Sequence, residues 1–277
     1  MIYQIDRPAS LHTSGVARPI RVVQCSDMHL FSDPQSKLLG LNTQASFSAV
    51  LELIQHEQPQ IDLLVNTGDV AQQSTPATYA RFLSDMQSIQ APWFSIPGNH
   101  DLDDAYKQHL NLDAIPTEVI IGNWCCILLN STLHNEIAGG FTELTLTYLQ
   151  HALKRQKDKH IIIALHHNPL AVGCDWLDQH MLKTSEEFFN TIAPFPQVKV
   201  VLHGHVHQQF EQVHQHVMYL ACPSTSLQFK PQCKDFTLDT INPGYRWLDL
   251  YEDGQFETQV SRLKSHNFIV DYQSNGY

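Results

Sequence analysis

No apolar run in this 277-residue chain approaches the length of a bilayer span, which argues against a membrane-crossing helix within it. The opening residues, Met1-Ile2-Tyr3-Gln4-Ile5-Asp6, lack the basic region and following apolar stretch of a secretory leader. The six cysteines (Cys25, Cys125, Cys126, Cys174, Cys222 and Cys233) include no C-x-x-C pair, and two lie on apolar strand-like runs, where they read as small buried thiols. Basic residues are scarce, 17 against 28 acidic ones for a formal net charge of −11. They form no stripe interleaved with aromatics, so the chain lacks the electrostatic footprint of a nucleic-acid polymer binder. A small anionic substrate remains compatible, because bound cations can invert the field at a site. There is no Pro/Gly/Ser-rich linker, internal repeat or low-complexity segment. The expectation is a reduced, cytoplasmic enzyme with no membrane or nucleic-acid partner, for which monomer and dimer both fit.

The apolar content is ample for a sizeable core, and its arrangement is informative. Five apolar runs read as buried strands: 21–25, 61–65, 92–96, 161–165 and 198–202. Each is followed at once by a polar segment: Asp27-Met28-His29, Gly68-Asp69, Gly98-Asn99-His100-Asp101, His166-His167 and Gly204-His205-Val206-His207. Loops at the C-terminal ends of strands are where open α/β sheets bind ligands. Between the runs, Phe47, Val50, Leu51 and Ile54 follow a possible N-cap at Asn42 with helical spacing. Tyr79, Phe82, Leu83 and Met86 do the same after Thr75-Pro76, and Leu146, Leu149 and Leu153 mark a third helix. Thr184 with Glu187 predicts a capping box before Phe188, Phe189 and Ile192. Val217–Ala221 reads as a strand, and Tyr245–Tyr251 pairs with Gln255–Leu263 across Asp253-Gly254. The economical architecture is α/β, one domain over residues 1–263 with two packed mixed sheets flanked by helices, followed by a tail at 264–277.

Taken singly, each polar segment also fits an ordinary loop. Gly68-Asp69 alone is most often a turn, and among 17 histidines some proximity arises by chance. All five in this order after five strands point instead to a site for two metal ions. Asp27 and His29, one residue apart, can face one ion, and Asp69 can bridge two through its two oxygens. Asn99 offers a neutral oxygen, and His166, His205 and His207 offer nitrogens. Such a mixed set suits manganese, iron or zinc better than calcium or magnesium. Two ions about 3.5–4 Å apart can share a hydroxide and clamp a phosphoryl centre. His100 reads as a proton donor to a leaving alkoxide, with Asp101 orienting it through a hydrogen bond. His203 reads as structural, and the choice between His166 and His167 stays open.

The five segments resemble, in spacing and order, the calcineurin-like metallophosphoesterase superfamily, from about Arg21 to Leu263. The resemblance implies that superfamily's four-layer sandwich. It places the first metal on Asp27, His29 and His207, and the second on Asn99, His166 and His205. Asp69 then bridges the two, and His100 matches the catalytic histidine. The stretches Gly173–His180, Pro223–Pro231, Asp235–Thr240 and Pro243–Arg246 further resemble bacterial 3′,5′-cyclic AMP phosphodiesterases. That likeness implies hydrolysis of cyclic AMP to 5′-AMP by in-line attack of a metal-bridging hydroxide, with iron or manganese as the metals. His29, Asp69, Asn99, His100 and His207 would then meet the phosphoryl group, and Trp176 and Phe229 are candidates to stack on adenine. Two departures, Asn168 before Pro169 and Asn130 in Leu129-Asn130-Ser131, touch no expected ligand. A broader phosphodiesterase or phosphomonoesterase is the rival enzyme reading, and a metal-free interaction scaffold on the same fold is the rival outside enzymes.

Overall fold

The computed structural model describes residues 1–6, 18–101, 104–110, 115–264 and 268–276. The chain begins β1 (Ile2–Ile5), β2 (Ile20–Cys25), β3 (Lys37–Leu38), β4 (Leu41–Asn42) and α1 (Thr43–Glu57). Next come β5 (Leu63–Asn66), α2 (Pro76–Met86), β6 (Trp93–Ser95), α3 (Asp104–Leu110), β7 (Thr117–Ile121) and β8 (Trp124–Leu128). α4 (Glu143–Arg155), β9 (His160–Ala164), α5 (Asp175–Asp178), α6 (Ser185–Ile192) and β10 (Val198–His203) follow. The chain closes with β11 (Phe210–His214), β12 (Val217–Ala221), β13 (Gly244–Leu250) and β14 (Phe256–Arg262).

One sheet has five strands in the order β14-β13-β2-β5-β6, the other seven in the order β1-β7-β8-β9-β10-β12-β11. In the first, β2, β5 and β6 run parallel, and in the second β8, β9, β10 and β12 do. Successive residues of a strand face opposite sides of its sheet. Thus Ile20 and Val22 of β2 pack between the sheets with Val65, Ile162, Ala164, Val200 and Leu202. Val23 and Cys25 instead face outward, under α1 and α2, with Phe47, Ile54, Tyr79 and Phe82. The second sheet repeats the arrangement, with Ile161, Ile163 and Val201 under Leu149, Leu153 and Phe188 of α4 and α6. The order is helices, sheet, sheet, helices. Strands buried on both faces explain why the runs are continuously apolar rather than alternating.

Local chemistry sets most of the boundaries. The Asn42 side chain accepts from Ala45 N–H and opens α1, and Thr75 accepts from Thr78 N–H ahead of Pro76. The capping box expected at Thr184 does not form. Its hydroxyl oxygen accepts from Phe141 N–H at 2.8 Å, a cross-chain partner that outcompetes the local cap. The expected tail does not all extend away. Phe268 and Val270 pack near Leu38 and Leu41, and Asp271 N–H donates to Leu39 O, while 265–267 and 277 lie outside the described residues. All six cysteines are free, and no described helix is long and apolar enough to cross a membrane.

Candidate metal centre

All five polar segments leave the C-terminal ends of parallel strands: β2, β5 and β6 from one sheet, β9 and β10 from the other. Because the sheets face each other, the segments meet in one buried cleft. Asp27, His29, Asp69, His205 and His207 all adopt positive φ, between 48° and 68°. Asp and His tolerate this left-handed conformation better than most residues. Adopted repeatedly at one place, it turns Asp27 and His29, and His205 and His207, inward from their loops. Gly98 and Gly204 lie so close to Asp69 and Ser26 that a side chain at either would collide with them.

Four overlapping groups of donors result, in which ligand atoms lie within 4.8 Å of one another: Asp27, His29 and His207; Asp27, Asp69 and His166; His29, Asp69 and His100; and His166, His167 and His205. His166 Nε2 is 3.2 Å from Asn99 Oδ1 and 3.3 Å from Asp69 Oδ2. The same Oδ2 lies 3.8 Å from His29 Nε2, while Asp69 Oδ1 accepts from His100 N–H at 2.9 Å. Asp69 thus lies between the His29 side and the His166 side of the cluster. His205 N–H donates to the Asp27 carboxylate at 3.1 Å, and His205 Nε2 is buried with no hydrogen-bond partner among the described residues.

The tautomers follow from the neighbours. His29 Nδ1–H donates to Gln72 Oε1 at 2.7 Å, His166 Nδ1–H to Thr67 O at 2.7 Å, and His207 Nδ1–H to Leu227 O at 2.8 Å. Each of these rings then turns its Nε2 inward, the usual arrangement of a histidine ligand. His29 Nε2 and His207 Nε2 stand 3.0 Å apart with His207 Nε2 3.4 Å from Asp27 Oδ1. Lone pairs and carboxylates converging in a buried space repel unless a cation sits among them. This donor set fits divalent metal ions.

Electrostatics agree. Burial alone would push Asp27 and Asp69 up, but neighbouring histidines, His207 for Asp27 and His166 for Asp69, hold both below the usual carboxylate range. Burial lowers His29 to about 3 and depresses His205 as well, so both rings are neutral and able to ligate. His166 is the exception: burial opposes its charge, yet Asp69 and Asp27 raise it to about 9.

Two expected roles change. Asp101 does not orient His100. Its carboxylate accepts from Val70, Ala71 and Gly98 N–H and from the Tyr79 hydroxyl, so it ties the Asp69 loop to the Asn99 loop. Phe229 cannot stack on a base, since it is only 2% exposed and lies face to face with His207 at 4.2 Å. His167, left open beside His166, is engaged at both nitrogens by Ser131 Oγ and Ile137 O. Trp176 stays partly exposed next to Phe229. His203 is buried on Gly204 O. His100, half-buried, stands edge-on to His29 at 4.9 Å, at the open side of the cluster. Gln72, Thr67 and Leu227, which set the tautomers, carry no sequence signal because two of them act through backbone carbonyls.

The family profile described as Calcineurin-like phosphoesterase matches residues 20–209, which hold every donor named above. The chain belongs to the calcineurin-like phosphoesterases. Among curated members, the 3′,5′-cyclic adenosine monophosphate phosphodiesterase CpdA of Escherichia coli is 42% identical over 97% of this chain and 98% of its own length. The protein of the same name from Haemophilus influenzae is 36% identical over 100% and 98%. A 3′,5′-cyclic-nucleotide phosphodiesterase of Nostoc is 38% identical over 88% and 93%. Among solved structures, a dimetal phosphatase from Danio rerio superposes with a TM-score of 0.63 over 88% of this chain and 99% of its own, at 11% identity. That likeness bears on the fold alone. This phosphoesterase is thus a metal-dependent hydrolase with two mixed sheets flanked by helices.

Proposed function

We propose that this chain hydrolyses 3′,5′-cyclic AMP to 5′-AMP, with iron or manganese as the resident metals and zinc compatible with the donors. The observation that carries the metal half of this reading is the buried set of lone pairs and carboxylates around Asp69. The substrate half rests on near full-length similarity to curated enzymes named for cyclic AMP. Asp27, His29 and His207 would hold one ion, Asn99, His166 and His205 the other, and Asp69 both. When bound, the ions supply positive charge for the phosphoryl oxygens and acidify water to give a nucleophile near neutral pH.

The remaining chemistry belongs to the chain. His100, fixed through its own backbone N–H to Asp69, lies at the accessible edge of the cluster, where it can give a proton to the departing 3′ oxygen. The carbonyl partners of His29, His166 and His207 hold their rings in one tautomer throughout turnover. Opening the cyclic diester needs no protein nucleophile, so no phosphoenzyme forms. Trp176, rather than Phe229, is the aromatic left to face the base.

The test compares kcat/KM for cyclic AMP, cyclic GMP, a 2′,3′-cyclic nucleotide, bis-p-nitrophenyl phosphate and p-nitrophenyl phosphate, with manganese-loaded protein and a chelated control. Chelator-sensitive turnover led by cyclic AMP is expected. Leadership by either nitrophenyl ester would replace the substrate with a broader phosphodiesterase or phosphomonoesterase activity. Failure to retain any metal would return the chain to the scaffold reading.

A further inference from the structure

His207 is gripped from one short stretch of chain. Its Nδ1–H donates to Leu227 O at 2.8 Å, its backbone O accepts from Phe229 N–H at 3.2 Å, and the Phe229 ring covers it at 4.2 Å with an interplanar angle of 8°. The carbonyl fixes the tautomer, and the parallel ring removes the remaining freedom to swing. Phe229 is itself wedged edge-on by Trp176 at 4.9 Å and Phe236 at 5.5 Å, and those two meet at 5.0 Å.

The wedge is tied on both sides. Lys230 N–H donates to Thr237 O and Asp239 N–H to Gln228 O, which close the loop carrying Phe229 on itself. The Trp176 loop is joined to it at Cys174, whose Sγ accepts from Cys233 N–H at 3.5 Å and from Gln208 Nε2 at 3.3 Å. Gln208 directly follows His207. The corresponding partners of His29 and His166, Gln72 and Thr67, both come from the loop after β5 in the five-stranded sheet and involve none of this block.

We propose that Phe229 is a positioning residue for His207: the aromatic block of Phe229, Trp176 and Phe236 sets how tightly one of the two ions is held. The inference rests on the dimetal reading above. It makes the two long loops a clamp on one metal as well as a wall of the substrate cleft. Partners of a ligand that do not touch the metal typically change its affinity by about 10–100-fold when removed.

The experiment measures manganese stoichiometry and affinity by equilibrium dialysis with elemental analysis, and the manganese EPR spectrum, on wild-type, Phe229→Leu, Phe229→Ala and Leu238→Ala proteins. Phe229→Leu keeps apolar volume but removes the flat face, so it folds even where the alanine variant fails. Leu238 packs in the same apolar cluster and serves as the packing control. The expected result is about tenfold weaker binding of one ion in Phe229→Leu and about 100-fold in Phe229→Ala. The coupled two-ion EPR signal gives way to an isolated-ion signal, while Leu238→Ala keeps both ions. Two ions held with wild-type affinity in Phe229→Leu overturn the proposal, and so does an equal loss in Leu238→Ala. A wild-type protein that binds no manganese defeats the dimetal reading itself, a distinct outcome.

Discussion

From the ends of β2, β5 and β6 come Asp27, Asp69 and Asn99, with His29 and His100, whereas the ends of β9 and β10 supply imidazoles alone: His166, His205 and His207. The seven-stranded sheet does bury a carboxylate, Glu118 of β7, but the chain gives it protein partners. Arg155, Gln156 and Tyr148 all donate to it. Asp27 and Asp69 face imidazoles and backbone N–H groups, with no guanidinium or ammonium partner among the described residues. A buried anion needs a counter-charge. At Glu118 an arginine supplies it permanently, whereas at Asp27 and Asp69 it falls to titratable imidazoles, His166 above all, whose proton a metal ion could replace. The difference separates a carboxylate that holds the fold together from a pair that awaits a ligand.

Removing the shared oxygen should have the largest effect. Asp69→Ala is expected to lose both ions and to lower kcat/KM by about 10³-fold or more, read by elemental analysis and steady-state kinetics. Retention of both ions would show that they do not share Asp69. Next comes the residue that belongs to the oxygen-bearing sheet but serves the substrate. His100→Ala should cut kcat by about 10²–10⁴-fold with both ions still bound.

A smaller effect is expected where a carboxylate of the same sheet does structural work. Asp101→Ala strips partners from the N–H groups of Val70, Ala71 and Gly98. Losing buried hydrogen bonds of this kind costs roughly 2–3 kcal/mol, a fall in Tm of roughly 5–10 °C, measured on metal-free protein so that ligand loss does not contribute.

The smallest effect belongs to Glu118. Burial would raise its pKa, but Arg155, Gln156 and Tyr148 bring it below the ordinary 4.5. The carboxylate therefore adds stability that is complete above about pH 4.5 and fades as the pH falls through its lower folded value. Glu118→Gln should be less stable than wild type at pH 7, with the gap closing in acid. A gap that holds constant to pH 3 in denaturant titrations would detach Glu118 from the acid response.

The same contrast explains what could be read from the sequence. The donor segments stand out because most follow strands buried on both faces, where a polar residue is conspicuous against Val, Ile and Leu; only β6, Trp93–Ser95, is half-buried. β7 and β8, Thr117–Leu128, are harder to read from sequence because Asn130-Ser131 after them offers neither carboxylate nor imidazole, and the hairpin turns at Gly122-Asn123 inside a largely apolar stretch. The fates of Asp101 and Phe229 were hidden for another reason. Sequence order puts Asp101 beside His100, but left-handed backbone at Asp69 brings the Val70 and Ala71 N–H groups onto its oxygens instead. Phe229 looked like a face for a base because nothing local shows that His207, on another loop, already occupies that face. Strand periodicity reports which residues are buried, whereas loop conformation decides what they touch.

His29 and His207 present their nitrogens to each other at 3.0 Å although 178 residues separate them along the chain. During synthesis, the carboxylate-bearing loops emerge long before the imidazoles that complete the site. A ribosome-bound chain that stops short of β10 holds Asp27, His29, Asp69 and His166 but lacks His205 and His207. The complete donor set therefore forms only once both sheets exist and have closed on each other, and ions bound there would tie the earliest strand of the cleft to its last.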